Sequence, residues 1–199
     1  MQQFGTFAPT GVSRIILGLA KMGLGRGRLK LLFSQLWNRI NGDKPVDLIY
    51  KNLKLRLQPR QNTIESKIMF SAKKREGTEL ALIKRHLVGG GVFVDIGSNI
   101  GYYALNVALM SAGKVIAIEP NPPVLARLRD NIALNDLQSK ITVHDVAIGA
   151  AKDIAKLTIS DNDFGSSSIV NQSVGKTHID VEVVPLVEIL KINNVANAN

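Results

Sequence analysis

Between Asp95 and Gly101 the chain reads DIGSNIG, an acid followed by two glycines four residues apart. Glycine at 97 permits a tight turn and glycine at 101 lets a following helix come close, which predicts backbone N–H groups turned toward a ligand. A pyrophosphate fits poorly. The dinucleotide fingerprint G-x-G-x-x-G fails, because Asn99 and Tyr102 stand where glycines are expected, and the Asp95 charge would repel phosphates. A ligand with an amino group and no phosphates fits better. Glu119 follows Gly97 by 22 residues, the spacing at which an acid accepts hydrogen bonds from both hydroxyls of a ribose. Asp145, in HDVAI, offers an acceptor for an adenine amino group. Adenine, ribose and a charged amino-acid tail together describe S-adenosylmethionine.

These residues need a scaffold that gathers them at one edge. VFVDI from Val92 reads as a short buried strand, Tyr102 to Ser111 as a helix and KVIAIEP as a second strand. Pro123 to Asn135 reads as a second helix and KITVHDVAI as a third strand. Continuous apolar strands in β-α-β-α-β order predict an α/β fold with a parallel sheet covered by helices. Ligands of such sheets bind beyond the carboxyl ends of the strands, where Asp95, Glu119 and Asp145 fall. Upstream, NLKLRLQ alternates as a half-buried strand, GTELALIKRHL has helical period, and Gly89, Gly90 and Gly91 read as a hinge because no P-loop Lys-Ser or Lys-Thr pair follows.

With 199 residues, 45% hydrophobic and 21% charged, the chain has the composition of an ordinary globular protein. It has no cysteine, so disulfides and thiolate metal sites are excluded and a cytoplasmic setting is expected. The charge is uneven. Residues 1–90 carry 17 Lys and Arg against 5 Asp and Glu, whereas residues 91–199 carry 8 against 11. Three parts are expected: a basic arm over 1–45, a lead-in strand and helix over 46–90, and a partial Rossmann-like domain over 91–199. From Gly11 to Ile40 the arm holds Arg14, Lys21, Arg26, Arg28, Lys30 and Arg39 with no acid, interleaved with apolar residues. It suits peripheral contact with a membrane surface or another polyanion, or packing of its apolar residues on the domain. No apolar run reaches the roughly 20 residues of a membrane span.

VFVDIGSNIGYYAL, VIAIEPNP, LRDNIALN, DVAIG, SDNDFGSSSIV and HIDVEVVPLVEIL resemble the FkbM-type methyltransferases, members of the Rossmann-like class I S-adenosylmethionine-dependent enzymes. The similarity runs from about Asn52 to Leu190. It implies an O-methyltransferase acting on a sugar, a glycolipid or a secondary metabolite, and it points away from nucleic acid. It carries Asp95, Gly97, Ser98, Asn99, Gly101 and Glu119 over as cofactor contacts, with Pro120 and Asn121 on the ribose and adenine side and Asp145 with Val146 along the adenine. No substrate residue or catalytic base emerges. The family continues with a fourth strand beside the first, so a chain ending at Asn199 is expected to be a fragment of the fold, with VFVDI left as an exposed edge and activity doubtful.

Other readings stand beside this one. The basic half suits a nucleic-acid methyltransferase, although no recognised RNA-binding module accompanies it, and half a Rossmann domain also suits a non-catalytic binding module. Asn121, Pro122 and Pro123 match an amino-methyltransferase N-P-P loop but follow the wrong strand, and a helix beginning at proline is preferred. His86, His144 and His178 lack metal-ligand spacing, so no metal site is expected. The stretch SDNDFGSSS from Ser160 fits a loop closing over substrate and a plain hairpin turn equally. Asp95 fits a helix cap as well as a ligand contact.

Overall fold

The computed structural model describes residues 2–24, 27–70, 76–87, 91–111, 113–160, 163–168 and 177–195. The chain opens with α1 (Gly11–Leu19), a π-helical turn (Ala20–Leu24) and α2 (Gly27–Asn41). Part of their apolar surface turns inward: Ile16, Leu17, Ala20 and Trp37 join one continuous core with the α/β elements. Trp37 is 1% exposed and meets Phe70 edge to face, with ring centroids 6.1 Å apart.

An antiparallel hairpin follows, β1 (Val46–Tyr50) with β2 (Leu53–Leu57), paired from Val46 opposite Leu57 to Tyr50 opposite Leu53. The alternation expected of NLKLRLQ is present, since Leu53, Leu55 and Leu57 are fully buried and Lys54 is exposed. Arg56 departs from it. Its guanidinium is buried against the Asp47 carboxylate at 2.8 and 3.0 Å, and it also donates to the carbonyls of Gln2 and Gln3. Asp47 in turn accepts the N–H groups of Gly5 and Phe7. One buried ion pair thereby pins the amino-terminal residues to the hairpin.

Two helices, α3 (Thr63–Phe70) and α4 (Glu76–His86), lead to the α/β unit. Gly89 and Gly90 of the expected hinge lie outside the described residues. Next come β3 (Val92–Ile96), α5 (Tyr102–Met110), β4 (Lys114–Ile118), α6 (Pro122–Leu134) and β5 (Ile141–His144). The three strands form a parallel sheet in the order β3-β4-β5. This is the α/β architecture expected. Pro122 and Pro123 occupy the first turn of α6, where a missing N–H costs nothing.

Of the two expectations for VFVDI one is corrected: β3 is not buried but takes the exposed-edge position also expected of it, since among the described residues it pairs with β4 alone, and Ile96 is 53% exposed. Nor is KITVHDVAI one strand. Backbone pairing stops after His144, and Ala147–Gly149 forms a separate strand, β6, in a second sheet of order β6-β9-β7-β8. There β7 (Asp153–Ser160), β8 (Asp163–Ser168) and β9 (Thr177–Pro185) run as antiparallel neighbours, and β6 joins β9 in parallel. The closing helix α7 (Leu186–Ile192) lays Ile189 against Ile116 and Ile118 of β4, covering the face of the first sheet opposite α5.

Candidate functional site

The turn after β3 is held by its own backbone. The N–H groups of Gly97 and Ser98 both donate to the Ile118 carbonyl, at 2.9 and 3.0 Å, and Gly101 N–H donates to Ser98 O at 2.8 Å. Asn99 N–H donates to the Glu119 carboxylate at 2.8 Å, and Ile100 N–H donates to the Asn99 side chain. Every N–H from 97 to 101 is thus consumed inside the protein, contrary to the expectation of free donors. What the turn offers a ligand is acceptors and open space. Gly97 sits at φ +74°, and nothing lies within 4 Å of where a Cβ would stand. Gly101, at φ +89°, has the Leu128 side chain 2.5 Å from that point, so glycine is required there for α6 to pack close.

Glu119 follows the end of β4. Its two oxygens receive Asn121 N–H at 3.0 Å and Asn99 N–H at 2.8 Å. Burial raises its carboxyl above the ordinary value, against the pull of those two donors. Each oxygen keeps a second lone pair, so the group can still accept from a ligand hydroxyl. Asp95, at the end of β3, accepts Ala104 N–H at 3.1 Å. It caps the first turn of α5, and burial pushes its carboxyl up to about 6. Ser98 Oγ bridges the strands, donating to Asp95 O and accepting Ile118 N–H.

Asn121 is fully buried. Its Nδ2 donates to Phe164 O at 2.9 Å and Ser167 Oγ at 2.6 Å, while its Oδ1 has no partner among the described residues. The β7–β8 hairpin therefore lies against this turn. It is fastened on its other side by Phe164 N–H to Gln61 O and by Thr63 donating twice to the Asp163 carboxylate. Asp161 and Asn162 of the expected loop fall outside the described residues.

Sequence reasoning placed Asp95, Gly97, Ser98, Asn99, Gly101, Glu119 and Asn121, which this geometry brings together. Asp145 and Pro120 open onto a neighbouring cavity of about 340 Å³, which they line with Arg129 and residues 179–182 of β9, and Asp145 is exposed with Arg129 3.7 Å away. Val146 packs instead on the α7 side of the sheet. Three contributors were missed: Asn62, whose Nδ2 donates to Asn99 Oδ1 at 2.9 Å, and Phe164 and Ser167. Only the serine-rich composition of the last stretch hinted at a role.

The family model for the TRM5/TYW2 methyltransferase domain matches residues 61–178, more than half of the chain, and the chain belongs to that family. A ribosomal protein L11 methyltransferase of Carboxydothermus hydrogenoformans is 36% identical over 64 residues, 32% of this chain and 21% of that protein. The chain spans about a fifth of the length of the curated relatives it matches. A structure of aTrm5 with tRNALeu is 23% identical with a TM-score of 0.40, covering 52% of this chain and 29% of that one. P. horikoshii TYW2 in complex with MeSAdo is 17% identical with a TM-score of 0.41, covering 61% and 50%.

These matches correct the resemblance to FkbM-type enzymes. An acid, a glycine turn and a second acid after the next strand are shared by class I folds, so they locate a cofactor half without separating families. The expected sugar, glycolipid or secondary-metabolite acceptor rested on that resemblance and falls with it, as does the reading of nucleic acid as an unlikely partner. The family is one of S-adenosylmethionine-dependent methyltransferases, which agrees with the cofactor read from the residues. Among the described residues no helix is long and apolar enough to cross a membrane. The family match gives the expected peripheral membrane contact no support; of the arm's apolar residues Ile16, Leu17, Ala20 and Trp37 pack in the core, while Val12, Ile15, Met22, Leu31 and Leu32 stay exposed.

Proposed function

We propose that this chain is the cofactor-binding part of an S-adenosylmethionine-dependent methyltransferase whose methyl acceptor is an RNA of the tRNA class. The observation that carries the reading is the Glu119 carboxylate, seated beside the open side of Gly97 within the segment that matches the TRM5/TYW2 family. Glu119 would accept the ribose hydroxyls, and Gly97 would let the ligand approach the backbone. The Asp145 carboxylate, in one cavity with Pro120, would accept amino hydrogens on the adenine side, and the buried Asn121 would hold the β7–β8 hairpin against the turn. A turn with no spare N–H suits hydroxyl and ammonium donors and gives a phosphate nothing to bind. Ser98, Asn99 and Gly101 shape that turn, and Asp95 fixes α5 behind it.

When bound, S-adenosylmethionine supplies an electrophilic methyl group on a sulfonium. The protein's contribution is alignment of acceptor and methyl in one line, where proximity is the main effect. Residues 91–199 carry the cofactor in this reading. Residues 1–90, with 17 Lys and Arg against 5 Asp and Glu, supply the positive surface that a phosphate backbone requires. A cytoplasmic setting belongs to the same proposal.

Isothermal titration with S-adenosylmethionine, followed by transfer of labelled methyl to total tRNA with total protein and lipid as controls, tests it. Micromolar cofactor affinity and label in tRNA that falls steeply with added salt are expected. Absence of cofactor binding, or label only in protein or lipid, would overturn it.

A further inference from the structure

Building on the cofactor site proposed above, we propose that Asn62, at the amino end of α3, is a positioning residue that holds the Asn99–Glu119 contact in its binding geometry. Asn62 is 1% exposed and its amide is used at both ends. Its Oδ1 accepts Ile64 N–H at 2.9 Å and Glu65 N–H at 3.3 Å, capping α3, while its Nδ2 donates to Asn99 Oδ1 at 2.9 Å. Only a side chain carrying both a donor and an acceptor can do this.

Asn99 is the residue in need of holding. It lies at φ +50°, a region that residues other than glycine seldom adopt and that asparagine tolerates best. Its Oδ1 accepts from Asn62 and from Ile100 N–H together, which fixes both its side chain and the following peptide. In that conformation its own N–H meets Glu119 Oε2 at 2.8 Å. The chain of contacts runs from α3 through Asn62 and Asn99 to the carboxylate assigned to the ribose. β8 closes over it at Gly165, where a Cβ would stand 2.7 Å from Asn62 Oδ1 and 3.2 Å from Asn99 Nδ2.

Asn62→Asp separates the two jobs. Aspartate still caps α3, but it has no Nδ2 to donate and sets a carboxylate oxygen against Asn99 Oδ1. Hydrogen exchange of the cofactor-free variant is expected to be at least about tenfold faster at the amides of residues 99–101 while those of α3 stay protected, and S-adenosylmethionine binding is expected to weaken about tenfold. In an Asn99→Gly background, where the side-chain acceptor is gone, the same substitution is expected to add nothing, as a double-mutant cycle requires of residues acting through one contact. Should the aspartate variant fail to fold, Asn62→Ser, which can cap α3 but is too short to reach Asn99, carries the same measurements. Unchanged exchange at 99–101, or equal losses in both backgrounds, overturns the positioning role. Absence of cofactor binding by the unsubstituted chain overturns the proposed function instead, and exchange without cofactor still decides the role of Asn62.

Discussion

Glu119 holds two backbone N–H groups and, in the proposed function, two ribose hydroxyls as well. Hydrogen bonds to a charged acceptor contribute roughly 1.5–3 kcal/mol each, so Glu119→Ala is expected to weaken S-adenosylmethionine binding at least about tenfold in calorimetric titration. Unchanged affinity would reject the ribose assignment. Asp95 makes a different prediction, about stability and pH. Burial moves its carboxyl from the ordinary 3.8 up to about 6, so the folded chain holds that proton more tightly than the unfolded chain does. The stabilisation is complete below about pH 4 and is lost as pH rises to about 6, by about 1–2 kcal/mol once its partial exposure is allowed for. Urea unfolding across that window is expected to show this decline in the native sequence. In Asp95→Asn, which stays neutral and can still accept Ala104 N–H, the decline should shrink by that share, leaving the part due to Glu65 and Glu119, whose carboxyls burial also raises.

The buried pair of the β1–β2 hairpin sets the element-scale expectation. Asp47→Ala would leave the Arg56 guanidinium buried without its counter-charge, at a cost of about 3 kcal/mol. It would also release the N–H groups of Gly5 and Phe7, visible as faster hydrogen exchange there. Equal exchange in the variant would mean that the amino-terminal residues are held by something else. Elements of this kind were unevenly legible. The order β3-α5-β4-α6-β5 and the acids at the ends of β3 and β4 could be read because period and spacing are local properties of the chain. β6 could not be told from β5, since HDVAI is one apolar-flanked run and the break between two sheets leaves no mark in composition. Asn62 meets Asn99 across 37 residues and Asn121 meets Phe164 across 43. Contacts at that range depend on where helices and hairpins dock, which no periodicity encodes. The turn itself misled for a related reason: two glycines announce a bend, but not that the Ile118 carbonyl and Glu119 absorb its donors.

At the scale of the whole molecule, the free side of β3 sets how the isolated chain behaves. An apolar strand with Val92 and Ile96 exposed and, among the described residues, one hydrogen-bonded neighbour is a template for another strand. The 199-residue chain is therefore expected to self-associate on size-exclusion chromatography, and Ile96→Lys is expected to reduce this. A monomer at high concentration would show that the edge is protected. Trp37, the one tryptophan in the sequence, is buried where α2 meets Phe70 of α3, and this placement turns it into a built-in optical gauge. Its emission reports the seating of the amino-terminal helices on the core, while far-ultraviolet dichroism reports the molecule as a whole. Since those helices share one apolar cluster with β4 and α6, the two signals are expected to melt together in a single transition. A red shift of the emission well before the dichroism changes would reveal an arm that undocks while the α/β unit stays folded.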